Sequence, residues 1–357
     1  MNTHKKLLLV GYFPEDSSVY AYATSFVRPL QKLGFEVKTF NYRKKYFRFI
    51  NKRIVNKQLI RTVRNFKPDV IFCIKAETIT AKTIKTIKQV CAPIIINFYP
   101  DSPFAIWNGN STPDLLESLP FYDHFLIWAH EFIPALISGG CKKVSYFPFA
   151  FDEEIFDSSS VLRGVPGGTH ACGTPGGNNS DVCFVGTWEP DREKWLTALC
   201  EKLPGLDLAL WGNEWSKKIA RDSVLHNKIR GEAIYGARMR KVFTGSKIVL
   251  NFVRQQNIQA HNMRTFEVPA SNSFLLTQWT HDQANVLFKE GESIACFTTV
   301  DDLVQKITYY MAHEEERCAI TQKGFMRAQE FTLEKQLALL FGMLDVTNSG
   351  GCRARPS

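Results

Sequence analysis

The residues best suited to chemistry in this chain fall between Asn262 and Phe297, in NMRTFEVPASNSFLLTQWTHDQANVLFKEGESIACF. The spacing predicts a helix, a short buried strand, a polar helix and a second strand, the pattern of a nucleotide-binding half-domain. Glu267 sits between Phe266 and Val268, with Ala270 and Ser271 one turn on. Its carboxylate is thus expected at the start of a helix whose small residues allow close packing. Such a group can accept hydrogen bonds from two neighbouring ribose hydroxyls, or simply complement the helix dipole. In DVCFVGTWEPDREKWL, Gly186 and Thr187 close a strand, Pro190 suits a first helical turn, and Arg192 follows at the helix start. A helix N-terminus with a guanidinium is a site for a diphosphate; an ordinary cap with Arg192 in solvent is the plainer reading. In LALWGNEW, Trp211 and Trp215 could flank a flat base, although aromatic packing accounts for both equally well. The segment 251–267 adds Gln259, Asn262 and Arg264. Cation, aromatic ring and carboxylate on converging loops suit a nucleotide diphosphate.

These loops need a scaffold, and the chain supplies two. Short apolar runs predict strands at Leu7–Gly11, Glu36–Phe40, Asp69–Ile74, Pro93–Phe98, Phe125–Trp128 and Val144–Phe147, with helical stretches such as 19–33, 46–65 and 81–89 between them. A second series runs through Val182–Gly186, Asp207–Trp211, Ile248–Phe252, Phe274–Thr277 and Ile294–Phe297, followed by helices at 300–312, 314–330 and 333–344. Strands without polar alternation indicate parallel sheets covered on both faces. Two such series in 357 residues imply two Rossmann-like α/β domains. The expected layout is a first domain over 1–150, a linker with a Gly/Ser/Pro-rich insertion over 151–180, a second domain over 181–331, a crossover helix over 332–347 and a tail over 348–357.

Charge is unevenly spread. The net charge is +9, and between Val37 and Pro68 there are eleven basic residues and no acid, so the remainder of the chain is slightly acidic. Apolar residues interleave with these cations at helical spacing, which predicts an amphipathic helix. Its outer face is either simply solvated or fitted to an anionic membrane surface or a polyanionic acceptor; nucleic acid has no supporting motif. No run approaches the ~20 apolar residues of a membrane span. The basic and apolar start, MNTHKKLLLVGYFPED, reads as a first strand rather than a signal peptide. The nine cysteines are scattered without C-x-x-C pairs and are expected as reduced thiols, and His170 with Cys172 lacks the further ligands of a metal site. No metal and no resident cofactor is expected, and the expected location is the cytoplasm, with the basic stretch able to touch the inner face of the membrane.

The motifs DVCFVGTWEPDREKWL, SKIVLNFV, NMRTFEVPASNSFLLT, VLFKEGESIACF and DDLVQKITYYMAHEEERCAITQKG occur in an order that resembles CgeB-like glycosyltransferases, the spore-maturation group of the GT-B superfamily. The likeness covers about 181–331 and extends more loosely to NFYPDSPF and DHFLIWAHEFIPALISGGCKKVSYFPFAFDEEIF. It implies two facing Rossmann-like domains, a nucleotide diphosphate sugar as donor on the second, an acceptor on the first, and final helices that cross back to the first domain. It also implies that Glu267 holds the ribose and Arg192 neutralises the departing diphosphate. Related enzymes often carry two glutamates eight positions apart; the earlier position here is Gln259. A catalytically silent nucleotide-sugar-binding protein is therefore the alternative to an enzyme. Candidate cations for the leaving group are Arg192, Lys247 and Arg264, in that order. No D-x-D pair occurs, which argues for a metal-independent reaction. An inverting transfer needs a base, and Asp101 and His130 are the candidates in the first domain, each also readable as a capping or packing residue. The acceptor is expected to be a glycan, lipid or protein of the cell envelope or surface.

Overall fold

A computed structural model describes residues 5–15, 21–43, 52–104, 110–156, 180–254, 257 and 259–344. The chain forms two compact units, Met1–Phe149 with Leu333–Ser357, and Ala150–Thr332. The insertion around His170 and Cys172, the tail, and Lys44, Lys45 and Arg48 of the basic stretch lie outside the described residues.

The first unit holds strands β1 (Lys6–Gly11), β2 (Glu36–Asn41), β3 (Val70–Ile74), β4 (Ile94–Tyr99), β5 (His124–Ile127) and β6 (Val144–Tyr146). They pair in the order β2-β1-β3-β4-β5-β6, every pair parallel. Leu7, Leu8, Leu9 and Val10 are all fully buried, as a strand covered on both faces requires. The helices are α1 (Val27–Lys32), α2 (Lys52–Phe66), α3 (Ala81–Cys91), α4 (Pro113–Ser118) and α5 (Ile133–Ser138). On α2, residues Val55, Leu59, Val63 and Phe66 are buried and the basic residues point away, as the amphipathic spacing predicts. The last described helix of the chain, Leu333–Met343, returns to this unit: Phe341 packs on Phe35 with ring centroids 4.8 Å apart and on Phe72 at 6.3 Å.

The second unit holds β7 (Ser180–Val185), β8 (Leu208–Trp211), β9 (Ile229–Gly231), β10 (Ser246–Asn251), β11 (Leu275–Gln278) and β12 (Ala295–Phe297). Their order is β12-β11-β10-β7-β8-β9, again all parallel. Its helices include α6 (Glu153–Phe156), α7 (Pro190–Lys202), α8 (Trp215–Lys218), α9 (Gly236–Thr244), α10 (Arg264–Ala270), α11 (Val300–Ala312) and α12 (Glu314–Ala328); α13 is the returning helix Leu333–Met343. The polar segment after β11 is a π-helix, Asp282–Leu287, in place of the expected α-helix. α11 starts where the sequence places it because the Thr299 side chain accepts the Asp302 N–H. Strand β9 was not expected: its residues are half-exposed, and it exists by pairing with β8.

Each sheet reverses its strand order once, between β1 and β3 in the first and between β7 and β10 in the second. In open α/β sheets the crevice beyond the carboxyl ends at that point is where ligands bind.

Candidate functional site

At the reversal of the second sheet, the loops after β7 and β10 bring three guanidiniums together. Arg192, in the first turn of α7, folds back so that Nη1 donates to the Thr187 carbonyl at 2.7 Å. Its Nε lies 3.5 Å from the Glu189 carboxylate, and the group stacks 5.5 Å from the Phe184 ring centroid. The residue is buried rather than projecting from the helix start. Burial lowers its pKa to about 10, with Arg254 and Arg264 adding to the fall and Glu189 opposing it, so Arg192 stays charged at neutral pH. Arg254, three residues beyond β10, pairs its Nε with the other Glu189 oxygen at 2.6 Å and is half-exposed. Arg264 opens α10, reaches the Val185 carbonyl through Nε at 3.4 Å and donates Nη1 to Glu267. Three cations here face two carboxylates, which leaves one positive charge for an anionic ligand.

Glu267 is 2% exposed, and its pKa is raised by burial against the opposing pull of Arg264. The carboxylate is therefore within the first turn of its helix, as expected, but it is held by a guanidinium of the same turn.

The backbone beneath these groups is tightly closed. The Gly186 N–H donates to the Trp211 carbonyl at 2.9 Å, the Trp188 N–H to Asn213 at 3.0 Å, and the Gly186 carbonyl accepts Trp215 Nε1 at 2.7 Å. Gly212, with φ +152°, makes this possible: a Cβ there would lie 1.9 Å from the Gly186 oxygen. Trp211 ends β8 almost buried, with the Arg238 guanidinium 5.3 Å from its ring, and Trp215 is fully buried. Packing and the indole hydrogen bond thus occupy Trp215.

Asn262 anchors the start of α10. Its amide donates to Asn251 Oδ1 at 2.9 Å, and Asn251 donates to Thr277 Oγ1 at 3.0 Å, so the ends of β10 and β11 are tied to the helix. The Asn262 Oδ1 is buried without a hydrogen-bond partner among the described residues. Gln283, inside the π-helix, accepts from Thr265 at 2.7 Å and Thr277 at 3.0 Å. Gln259 accepts the His281 N–H at 3.2 Å through its side chain and the Asp282 N–H at 3.0 Å through its carbonyl. His261 and Asp282 pair at 2.7 Å in full burial. π-Helical turns often mark functional sites, and here one is braced from four directions.

Lys247 is elsewhere. It is the second residue of β10 and pairs with Asp181 near the start of β7 at 2.9 Å, at the amino edge of the sheet. The strand carries its side chain to the end opposite the three guanidiniums, which removes Lys247 from the diphosphate cations. Arg254 takes the place expected of Lys247; the sequence reading did not single it out, and its position just beyond a strand end was the available signal.

The first unit assembles its own polar cluster at the β1/β3 reversal. Lys75 and Ala76, directly after β3, have φ of 65° and 53°. Two consecutive non-glycine residues in the left-handed region are strained. Hydrogen bonds hold them there: Lys75 N–H to Phe98 O at 2.8 Å, and Asn97 Nδ2 to Lys75 O at 3.2 Å. This corner aims Lys75 Nζ at Asp101, 2.6 Å away, and at Asn110 Oδ1, 3.1 Å away. Next to it, buried Glu77 accepts Tyr42 Oη at 2.6 Å and pairs with Arg43. Burial pushes the Glu77 pKa up, yet Arg43 and the Tyr42 hydrogen bond outweigh it and leave the group below its ordinary value. Asp101 is thus half of an ion pair. His130 follows β5, exposed and stacked on Tyr146 with centroids 3.9 Å apart.

Among the described residues no three His, Cys, Asp or Glu side chains gather as a metal-binding set, and none of the seven described cysteines is in a disulfide. No described helix is long and apolar enough to cross a membrane.

Comparison with curated proteins by sequence returns no match. Residues 192–341 match a family described as glycosyl transferase-like. Among solved structures, sucrose-phosphate synthase from Thermosynechococcus elongatus superposes with a TM-score of 0.67 at 11% identity, over 96% of this chain and 100% of its own. HepE of Anabaena in complex with UDP-glucose gives 0.67 at 13% identity, over 96% and 100%. Trehalose-6-phosphate synthase, studied for glycosyl transfer with retention, gives 0.64 at 13%, over 95% and 99%. The two parallel six-stranded sheets are therefore those of the GT-B glycosyltransferase fold, and the segment bearing Arg192, Arg254, Arg264 and Glu267 is glycosyl transferase-like.

Proposed function

We propose that the protein transfers a sugar from a nucleotide diphosphate sugar, with UDP as the first nucleotide to test because HepE binds UDP-glucose. The observation that carries this reading is the convergence of Arg192, Arg254 and Arg264 at the strand reversal of the second sheet. As the glycosidic bond to the donor phosphate breaks, negative charge grows on the leaving diphosphate. Fixed guanidiniums and the α7 N-terminus stabilise that charge more than they stabilise the bound donor. Arg254, the most exposed of the three, contacts the phosphates, while Arg192 and Glu189 hold it in position. Glu267 takes the ribose hydroxyls once Arg264 turns toward the phosphates. The guanidiniums do the work that a metal does elsewhere, so the reaction runs without one.

The acceptor meets the first unit at the Lys75–Asp101 corner, where Asp101 takes the hydroxyl proton and Lys75 fixes its orientation. His130 is the second candidate for that role. The acceptor belongs to the glycans, lipids or proteins of the cell envelope, and the chain falls in the CgeB-like group by its motifs.

The test is thermal melting with UDP, GDP, TDP, ADP and CMP. A nucleotide at a hundredfold excess over its Kd stabilises by about 2.7 kcal/mol. One nucleotide should give a clear shift that Arg254→Ala abolishes, and its sugar conjugate should be turned over. Absence of any shift sinks the donor assignment. A shift without turnover of any conjugate leaves a silent binding protein.

A further inference from the structure

The outer face of α2 bears a cationic stripe that the donor chemistry does not use. Arg53, Lys57, Arg61 and Arg64 are all exposed. At the helical repeat they fall within an arc of roughly 80° and extend about 16 Å along the axis. Val55, Leu59, Val63 and Phe66 on the far side are buried, so the helix cannot rotate the stripe inward without losing its core contacts. Lys57, Arg61 and Arg64 form no ion pair among the described residues. Helix α3 packs beside α2 and adds exposed Lys82 and Lys85. Neither helix contains an acid. The flanking cations are used differently: Lys52 pairs with Asp114 and Lys88 with Asp123, which pins both helices to the unit.

We propose that the α2–α3 face docks this protein on a membrane surface rich in anionic lipid. The charge is of one sign over two adjacent helices, which complements a sheet of headgroups. Ile54, 38% exposed at the edge of the stripe, supplies an apolar contact at the headgroup boundary. A single-stranded nucleic acid would need exposed rings for its bases, and the one aromatic residue of α2, Phe66, is buried. The proposal is independent of the donor site.

The test is co-sedimentation of the full chain with vesicles of phosphatidylcholine alone or of phosphatidylcholine with phosphatidylglycerol. Binding should require the anionic lipid and weaken with salt. Each cation near such a surface is worth about fivefold, so R53Q/K57Q/R61Q/R64Q should lose on the order of several hundredfold in affinity. A control variant, K217Q/K218Q/R221Q/K323Q, removes equal charge from the second unit and should bind as the parent does. All eight side chains are exposed, so coincident melting curves will show that both variants fold. The idea fails if the parent ignores anionic vesicles, or if the α2 variant binds them undiminished. Tighter binding of DNA than of vesicles at matched salt also overturns it and assigns the face to nucleic acid.

Discussion

Replacing Arg264 by Met isolates the electrostatic tension on which the donor site rests. In the parent, Arg264 is the partner of a carboxylate that is 2% exposed. Without it, Glu267 has lost its charge partner and nearby water is scarce. Breaking a buried pair from one side costs about 3–5 kcal/mol, with the lower end apt here because the Arg264 side chain is 21% exposed. Glu267 already has a raised pKa from burial, and the opposing pull of Arg264 disappears in the variant, so the pKa rises further. A carboxyl whose folded pKa exceeds its unfolded value of about 4.3 destabilises once it must ionise. Relative to the parent, whose Glu267 pKa is itself raised, the electrostatic deficit of the variant is absent below the parent's folded pKa, grows from there toward the variant's higher folded pKa, and is complete above it. Thermal melts across that range should show a gap to the parent that is largest in alkaline buffer, about 6–12 °C for ~3 kcal/mol in a domain of this size, and that closes toward acid. R264M/E267M should recover most of the loss, since an apolar pair needs no compensation. A gap that is constant with pH, or a double variant no more stable than R264M, refutes the buried-carboxylate argument.

Four further outcomes follow from the geometry. Gly212→Ala puts a Cβ 1.9 Å from the Gly186 oxygen at φ +152°, so it should cost at least ~3 kcal/mol in denaturant melts and separate the β7 and β8 loops, with nucleotide-induced stabilisation lost in parallel. Lys247→Ala removes a half-exposed pair at the amino edge of the sheet, so stability should fall by less than about 1 kcal/mol and the nucleotide shift should be unchanged; a lost shift would place the diphosphate at the wrong end of the sheet. Ala76→Gly should relieve left-handed strain and stabilise by up to about 1 kcal/mol, whereas Lys75→Met should slow sugar transfer while leaving the nucleotide shift intact, as expected of a residue that positions Asp101.

The inner strands such as β1, β3, β4 and β5 were readable because they are buried on both faces, so each apolar run is a local signal that needs no knowledge of its neighbours. The α2 face was legible for the same reason, its periodicity being written within four residues. Glu267 could be placed on the first turn of a helix from FEVPAS alone. Strand β9 was not legible: three half-exposed residues carry no pattern, and only pairing with β8 makes them a strand. The π-helix at 282–287 likewise depends on partners from four other segments: β10, the 259–261 loop, α10 and β11.

The sequence by itself determined the class of fold, the helix faces, the excess of positive charge and the chemistry each side chain can offer. Tertiary structure decided which of those side chains meet. Arg192 is separated from Arg254 and Arg264 by several strands and helices in the chain, and only the reversal of strand order at β7 and β10 brings the three to one edge. The same parallel pairing sends Lys247 to the opposite edge beside Asp181. Local pattern encodes what an element buries, whereas strand order arises from long-range packing, and the site is a product of strand order.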